Sequence, residues 1–210
     1  MLARLRSVFG DLQWRPHHDP IAELILTILS QHTADKASGR AFAELLAAFP
    51  DWDAVRVAPV ERIVEKVHWA GLSRTKAPRI KAVLERVRAE RGNYDLTFLA
   101  DLPLDAARDW LMALPGVGPK TAACVLMFAL GRPALPVDTH VYRVGQRLGL
   151  IPARMSADKA HAHLEARVPP DRVYAFHVGL IKHGRYTCTA QRPRCADCVL
   201  NDICPSAFRA

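Results

Sequence analysis

Apolar residues recur at helical spacing along most of this chain. After Pro20 they follow at intervals of three and four residues, at Ile21, Leu24, Ile25, Ile28 and Leu29. That spacing places them on one face of an α-helix. Further stretches repeat it, around residues 42–49, 60–67, 80–87, 105–114, 141–148 and 173–180. No stretch alternates with the period of a strand, so we predict an all-α fold.

Capping residues mark where these helices begin. Asp19, Ser73, Asp138 and Ser156 each precede a helical stretch, and their side-chain oxygens can accept a bond from the first turn. Pro119 begins a further helix, TAACVLMFAL, which is apolar on all sides. A helix without a polar face is a buried central helix.

The longest apolar run argues against a membrane protein. It extends over residues 121–131, far short of the roughly 20 residues that cross a bilayer. The first twenty residues carry charges and no long apolar run, so no signal peptide is predicted. We expect a cytoplasmic protein without a membrane partner.

The charge balance points to a polyanionic partner. Lys and Arg number 29 against 21 Asp and Glu, which gives a net charge of +8. Nucleic acid is the commonest polyanion, although a basic protein can also be merely soluble. The stretch 71–91 is especially basic. It is either a solvated outer face or a surface that partly faces phosphate.

The segment Leu114–Thr121, LPGVGPKT, lies between two predicted helices. Gly116 and Gly118 permit positive φ and expose backbone N–H groups where the next helix begins, which is an anion site. The string resembles the hairpin of a helix-hairpin-helix motif. Lys120 follows at once, on an otherwise apolar helix. It is either a phosphate-binding surface lysine or, if partly desolvated, a nucleophile through its neutral amine.

Asp138 lies in the string VDTHVYR at residues 137–143. One interpretation is a simple N-cap. The other is a carboxylate that stabilises positive charge on a sugar whose base departs, and that accepts a proton from an attacking amine. An N-cap position holds a carboxylate rigidly, so both roles are compatible.

Four cysteines form the pattern C-x6-C-x2-C-x5-C, at Cys188, Cys195, Cys198 and Cys204. Such crowding in a reducing compartment indicates metal ligands rather than disulfides. Spacing alone leaves tetrahedral zinc and a [4Fe–4S] cubane open. Cys124 lies on the apolar helix and is interpreted as a core residue.

Together, LPGVGPKTA at 114–122, VDTHVYR at 137–143 and the cysteine pattern resemble the endonuclease III family of helix-hairpin-helix DNA glycosylases. The likeness extends from about Pro20 to Cys204. It implies two helical lobes with a DNA cleft between them. One is a six-helix barrel domain at 21–132, and the other is a cluster domain formed by 1–20 with 133–210. It also implies that the four cysteines hold [4Fe–4S].

The resemblance implies a monomeric enzyme of base excision repair that acts on double-stranded DNA with a damaged base or an abasic site. It would flip out an oxidised pyrimidine such as thymine glycol, release the base and cleave the strand by β-elimination. Lys120 and Asp138 would be catalytic. The implied DNA-binding residues are Gly116, Val117, Gly118, Lys120, Thr121, Leu72, Gln31, His32 and His140.

The resemblance implies that two family positions fill the gap left in the DNA helix. Leu72 would wedge between bases. Many family members place glutamine where this register puts His32, whereas here Gln31 comes one residue early. Either residue is therefore a candidate for filling the gap left by the flipped base, and His32 is alternatively a helix-end histidine without DNA contact.

Two rival functions differ in the residues they need. A monofunctional glycosylase of the same superfamily typically lacks the lysine, and Lys120 is present. A non-catalytic DNA-binding or redox protein on the same fold would tolerate the loss of Lys120 or Asp138. Both residues are retained, which favours the enzyme.

Overall fold

The computed structural model describes residues 1–209, in which every regular element is helical and no strand occurs. The predicted all-α fold is therefore confirmed. The α-helices of this described part are α1 (Leu2–Phe9), α2 (Pro20–Ser30), α3 (Asp35–Ala48), α4 (Trp52–Val57), α5 (Val60–Val67), α6 (Ser73–Arg91), α7 (Leu104–Met112), α8 (Pro119–Cys124), α9 (Thr139–Arg147), α10 (Ala157–Glu165) and α11 (Val173–Tyr186).

The capping predictions hold at three of four helices. The Asp19 carboxylate accepts from the Ala22 amide at 3.0 Å, and the Asp138 carboxylate accepts from the Val141 amide at 2.7 Å. Ser156 accepts from Lys159 at 3.4 Å. The prediction was wrong for Ser73, which is the first residue of α6 rather than its cap. Leu72 occupies the capping position instead, in a left-handed conformation with φ of 47°.

The apolar helix after Pro119 is buried, as predicted, but it is not a single regular α-helix. α8 ends at Cys124, and Val125–Ala129 continues it as a π-helical turn. Residues from Thr121 to Met127 are buried. Cys124 is 6% exposed, in agreement with its interpretation as a core residue.

The chain folds into two compact units. Pro16–Leu130 forms one unit, and Met1–Arg15 joins the chain from Gly131 onward in the other. The first unit has a core of fully buried side chains that includes Ile25, Ile80 and Leu84, and the second has one that includes Leu5 and Val144. The domain limits inferred from the sequence remain a prediction.

Two short helices escaped the sequence analysis. α1 and α4 each bury a single residue, Leu5 and Val55 respectively. One buried position produces no apolar stripe, so periodicity does not reveal such helices. Within residues 1–209, no helix is both long enough and apolar enough to span a membrane.

Candidate nucleic-acid and catalytic site

The predicted hairpin joins α7 to α8. Gly116 adopts φ of 72°, and a Cβ there would lie only 2.1 Å from Nε of Arg79. The positive φ favours glycine at this turn, whereas a shift of the flexible Arg79 side chain would relieve the close contact. Gly118 differs, because its φ of −101° suits any residue. It occupies the N-cap position of α8.

The start of α8 presents unpaired amide donors. Pro119 has no N–H, and the Lys120 and Thr121 amides belong to the first turn, where no carbonyl of the same helix can accept from them. Those amides lie at the positive end of the helix dipole, which favours an anion. Lys120 is half-buried on this turn and adds its own charge.

The side chains of Val117 and Thr121 are not placed for DNA. They are 6% and 4% exposed, respectively. The Thr121 hydroxyl accepts from Nε2 of Gln31 at 3.2 Å inside the unit. Their assignment as DNA-binding residues is therefore restricted to their backbone groups.

Both polar atoms of the Gln31 side-chain amide form internal hydrogen bonds, to the hairpin and to α6. Its Nε2 donates to Thr121 and, at 3.4 Å, to the Gly116 carbonyl, while its Oε1 accepts from Arg79 at 2.7 Å. A side chain held on three sides must break these bonds to fill a gap in DNA, so the structure disfavours Gln31 for that role. His32 is exposed, with φ of 52°. Of the two residues left open by the sequence, His32 is the exposed one.

Leu72 projects from a strained turn. Gly71 and Leu72 both have positive φ, at 61° and 47°, and the Leu72 side chain is 60% exposed. A left-handed conformation costs a leucine on the order of 1 kcal/mol, and exposing its side chain forgoes burial. This combination persists only where surrounding contacts impose it, and it is typical of a functional turn.

Lys76 supplies those contacts, and the sequence analysis missed it. Its side chain is 2% exposed, and its ammonium donates to the Leu29 carbonyl at 2.7 Å, the Thr33 hydroxyl at 2.7 Å and the Ala70 carbonyl at 2.8 Å. One buried charge thus joins the end of α2, the loop that carries His32 and the turn before Leu72. Burial, and then the charge of Arg79, lower the pKa of Lys76 from 10.5.

The basic stretch 71–91 is therefore only partly a surface. Lys76 and Arg79 make the internal contacts described above, and Lys81 donates to the carbonyls of Arg56 and Ala58 at 2.6 and 2.9 Å. The signal for Lys76 was present in the sequence, because it lies four residues before Ile80 and extends the apolar stripe of α6.

Asp138 and His140 lie at the start of α9, in the unit that contains the cysteines. Asp138 is half-buried and caps the helix, so one of its two predicted roles is present. Nδ1 of the half-buried His140 lies 3.1 Å from Nη2 of Arg143. Arg143 also donates to the carbonyls of Gly184 at 2.8 Å and Cys188 at 3.1 Å.

The four cysteines line one cavity, and none forms a disulfide with another described residue. Four thiolates in one cavity suit either a tetrahedral zinc ion or an iron–sulfur cubane.

Donors surround these sulfurs. The Leu200 amide lies 3.4 Å from Sγ of Cys198, and Nη1 of Arg147 lies 3.4 Å from Sγ of Cys188. Burial, followed by the neighbouring thiols, raises the pKa of Cys198. Cationic iron would reverse that effect, because a ligating thiol loses its proton. The donor set therefore fits an iron–sulfur cluster.

Two family models match the chain in these regions. Residues 25–170 match the HhH-GPD superfamily of base excision DNA repair proteins. Residues 188–204 match the iron–sulfur binding domain of endonuclease III, which confirms the cluster predicted at the four cysteines.

Relatives and solved structures agree with these matches. Endonuclease III of Treponema pallidum is 36% identical over 93% of this chain and 86% of its own length. A relative from Arabidopsis thaliana that carries the name of a DNA glycosylase is also 36% identical, and this chain spans 60% of its length. A trapped covalent intermediate of endonuclease III and DNA superposes with a TM-score of 0.84 at 31% identity, over 98% of this chain and 93% of the other.

Proposed function

Because the chain belongs to the endonuclease III family of base excision repair glycosylases, we propose that it is a bifunctional DNA glycosylase and AP lyase. Its substrate is double-stranded DNA that contains an oxidised pyrimidine such as thymine glycol. It acts as a monomer built of a helix-hairpin-helix domain, 21–132, and a cluster domain, 1–20 with 133–210. The observation that carries the proposal is Lys120, a lysine on the first turn of the helix that leaves the anion-binding hairpin.

DNA is held through its backbone and opened at the lesion. The amides after Gly118 bind one phosphate at the start of α8, and the net charge of +8 favours the complex over long range. The exposed Leu72 wedges between bases while the damaged nucleotide turns out of the stack. His32 then fills the gap opposite the orphaned base, a role supported by its exposure and by the internal contacts of Gln31.

The chemistry uses one amine and one carboxylate. The neutral amine of Lys120 attacks C1′ of the sugar, the glycosidic bond breaks and its electron pair leaves with the base. Asp138 stabilises the positive charge that develops on the sugar and accepts the proton released by the amine. The nitrogen lone pair then breaks the C1′–O4′ bond, so that the sugar ring opens, O4′ takes up a proton and an imine links Lys120 to C1′. This imine allows a proton to leave C2′, and the electron pair expels the 3′ phosphate by β-elimination. The four cysteines would hold the iron–sulfur cluster in the second domain.

Borohydride trapping on a duplex with one thymine glycol tests this function. Borohydride reduces the imine to a stable amine, so the wild-type protein is expected to give a covalent protein–DNA band. Lys120→Gln should abolish this band and strand cleavage, yet leave duplex binding intact. Lys159→Gln, at an exposed position on α10, is the matched control and should behave as wild type.

The other outcomes separate the alternatives. A band on a plain abasic site but not on thymine glycol would retain the lyase and redirect the search to other damaged bases. Base release without any band would indicate a monofunctional glycosylase. Strand cleavage that persists in Lys120→Gln would overturn the mechanism, and binding without base release or cleavage would indicate a non-catalytic protein.

A further inference from the structure

Three metal-ligating side chains meet where the chain enters α2. His17, His18 and Glu23 each offer one ligand atom, and these three atoms all lie within 4.8 Å of one another. The histidines directly precede Asp19, whose bond to the Ala22 amide fixes the start of the helix. Glu23 follows on the first turn, so local structure holds all three groups in place.

The Glu23 carboxylate is buried and needs positive charge. Its side chain is 5% exposed and accepts from Nδ1 of His17 at 2.8 Å. Burying a carboxylate is costly unless a cation balances it. A divalent cation would balance it fully.

The position of His18 favours a metal site over a simple ion pair between His17 and Glu23. Its ring centroid lies 4.6 Å from that of His17 and 5.4 Å from that of Phe42. A His–Glu pair needs no second imidazole at this place, whereas a metal site uses one. We propose that His17, His18 and Glu23 bind a divalent ion of the zinc class, with a fourth position open to water.

The ligand set and its spacing favour such an ion. Two imidazoles and a carboxylate are a recognised zinc combination, and the same donors suit copper. Bonds of about 2.0–2.1 Å to a tetrahedral ion place the ligand atoms about 3.4 Å apart. Nδ1 of His17 lies 2.8 Å from the Glu23 carboxylate, and the 4.8 Å limit that holds all three ligand atoms includes that value. Binding would therefore need only small side-chain rotations, and it would tie residues 17 and 18 to the first turn of α2.

Copper paramagnetic resonance on the cluster-loaded protein tests the site. A [4Fe–4S]2+ cluster is silent in that experiment, so a bound Cu2+ is seen alone. We expect about one Cu2+ per chain with hyperfine coupling from two nitrogens, displaced only by a large excess of Zn2+ and without loss of iron. His18→Ala and Glu23→Gln should each weaken Cu2+ and Zn2+ binding about tenfold or more, since losing a group that merely orients a ligand already costs that much. His68→Ala removes another exposed histidine of the same unit and should have no effect.

Three results with these variants would bear on the proposed metal site. If His18→Ala binds both ions as tightly as wild type, the cluster of side chains is only a His17–Glu23 ion pair. An equal loss in His68→Ala would reduce the binding to adventitious surface histidines. Because His18 is exposed, His18→Ala should keep the wild-type melting temperature without metal, so a change in its affinity reports on the ligand itself.

Discussion

Replacing Lys76 by methionine should destabilise the fold and loosen the two loops that carry His32 and Leu72, which we propose face DNA. Methionine keeps the apolar stem but removes the three hydrogen bonds that the ammonium donates to Leu29, Thr33 and Ala70. Each acceptor left without a donor costs about 1–3 kcal/mol, and removal of the buried charge returns part of that sum. We expect a net loss of about 3 kcal/mol in the free energy of unfolding.

Denaturant unfolding of the variant, with strand cleavage measured where it remains folded, checks this estimate. Arg74→Met is the matched control, because Arg74 is exposed on the same helix, and it should change stability by less than about 0.5 kcal/mol. Cleavage should fall further in Lys76→Met than in Arg74→Met, since the turn before Leu72 loses its anchor. Equal stability of the two variants would refute the stabilising role of the three Lys76 hydrogen bonds.

The contribution of Lys76 to folding stability should change with pH in a direction that follows from its pKa. The pKa of Lys76 is lowered in the folded state, so the folded protein releases this proton at a lower pH than the unfolded chain does. The unfolded chain binds more protons in the window between the lowered value and the ordinary value of 10.5. The stability of wild type relative to Lys76→Met should therefore rise with pH through that window. A difference that falls there would contradict the assignment of cause.

Three other predictions concern the second unit. Asp138→Asn should slow base release more than it weakens DNA binding, because asparagine keeps the cap of α9 but removes the charge. Asp138→Ala should also lose about 1 kcal/mol of stability. A larger effect on binding than on base release would make Asp138 mainly structural. The anaerobic protein should absorb broadly near about 400 nm from iron–sulfur charge transfer, whereas a colourless protein that contains zinc would disprove the cluster. Arg147→Met should reduce the iron content, because Arg147 donates to Sγ of Cys188 and to the Thr189 carbonyl.

Local signals in the sequence predicted the parts of the site that depend on local geometry. The caps at Asp19 and Asp138 follow from a short polar side chain before an apolar stripe, because the bond reaches only three residues ahead. The buried helix after Pro119 follows from its composition. The cysteine spacing likewise indicates four ligands in one short loop.

Contacts between distant segments were not predictable in this way. Lys76 bonds to a carbonyl at Leu29, 47 residues earlier, and Gln31 bonds to Thr121, 90 residues later. A helix stripe shows which face is buried but not which groups meet there. The stripe of α6 therefore includes Lys76 but does not show which carbonyls it bonds to. In the same way, the sequence leaves Gln31 as a candidate for filling the gap in DNA.

α9 connects the candidate carboxylate to the cluster loop within one unit. Asp138 caps its first turn, and Arg143 and Arg147 on the same helix hold the carbonyls of Cys188 and Thr189. In the other direction, Sγ of Cys204 lies 3.3 Å from the Arg147 carbonyl at the end of the helix. A bound cluster fixes Cys188 and Cys204, and it thereby fixes both groups against which α9 is held. The cluster can therefore stabilise the position of Asp138 without electron transfer. A short helix that is held at its last turn moves little as a whole, so its N-cap residue is held as well.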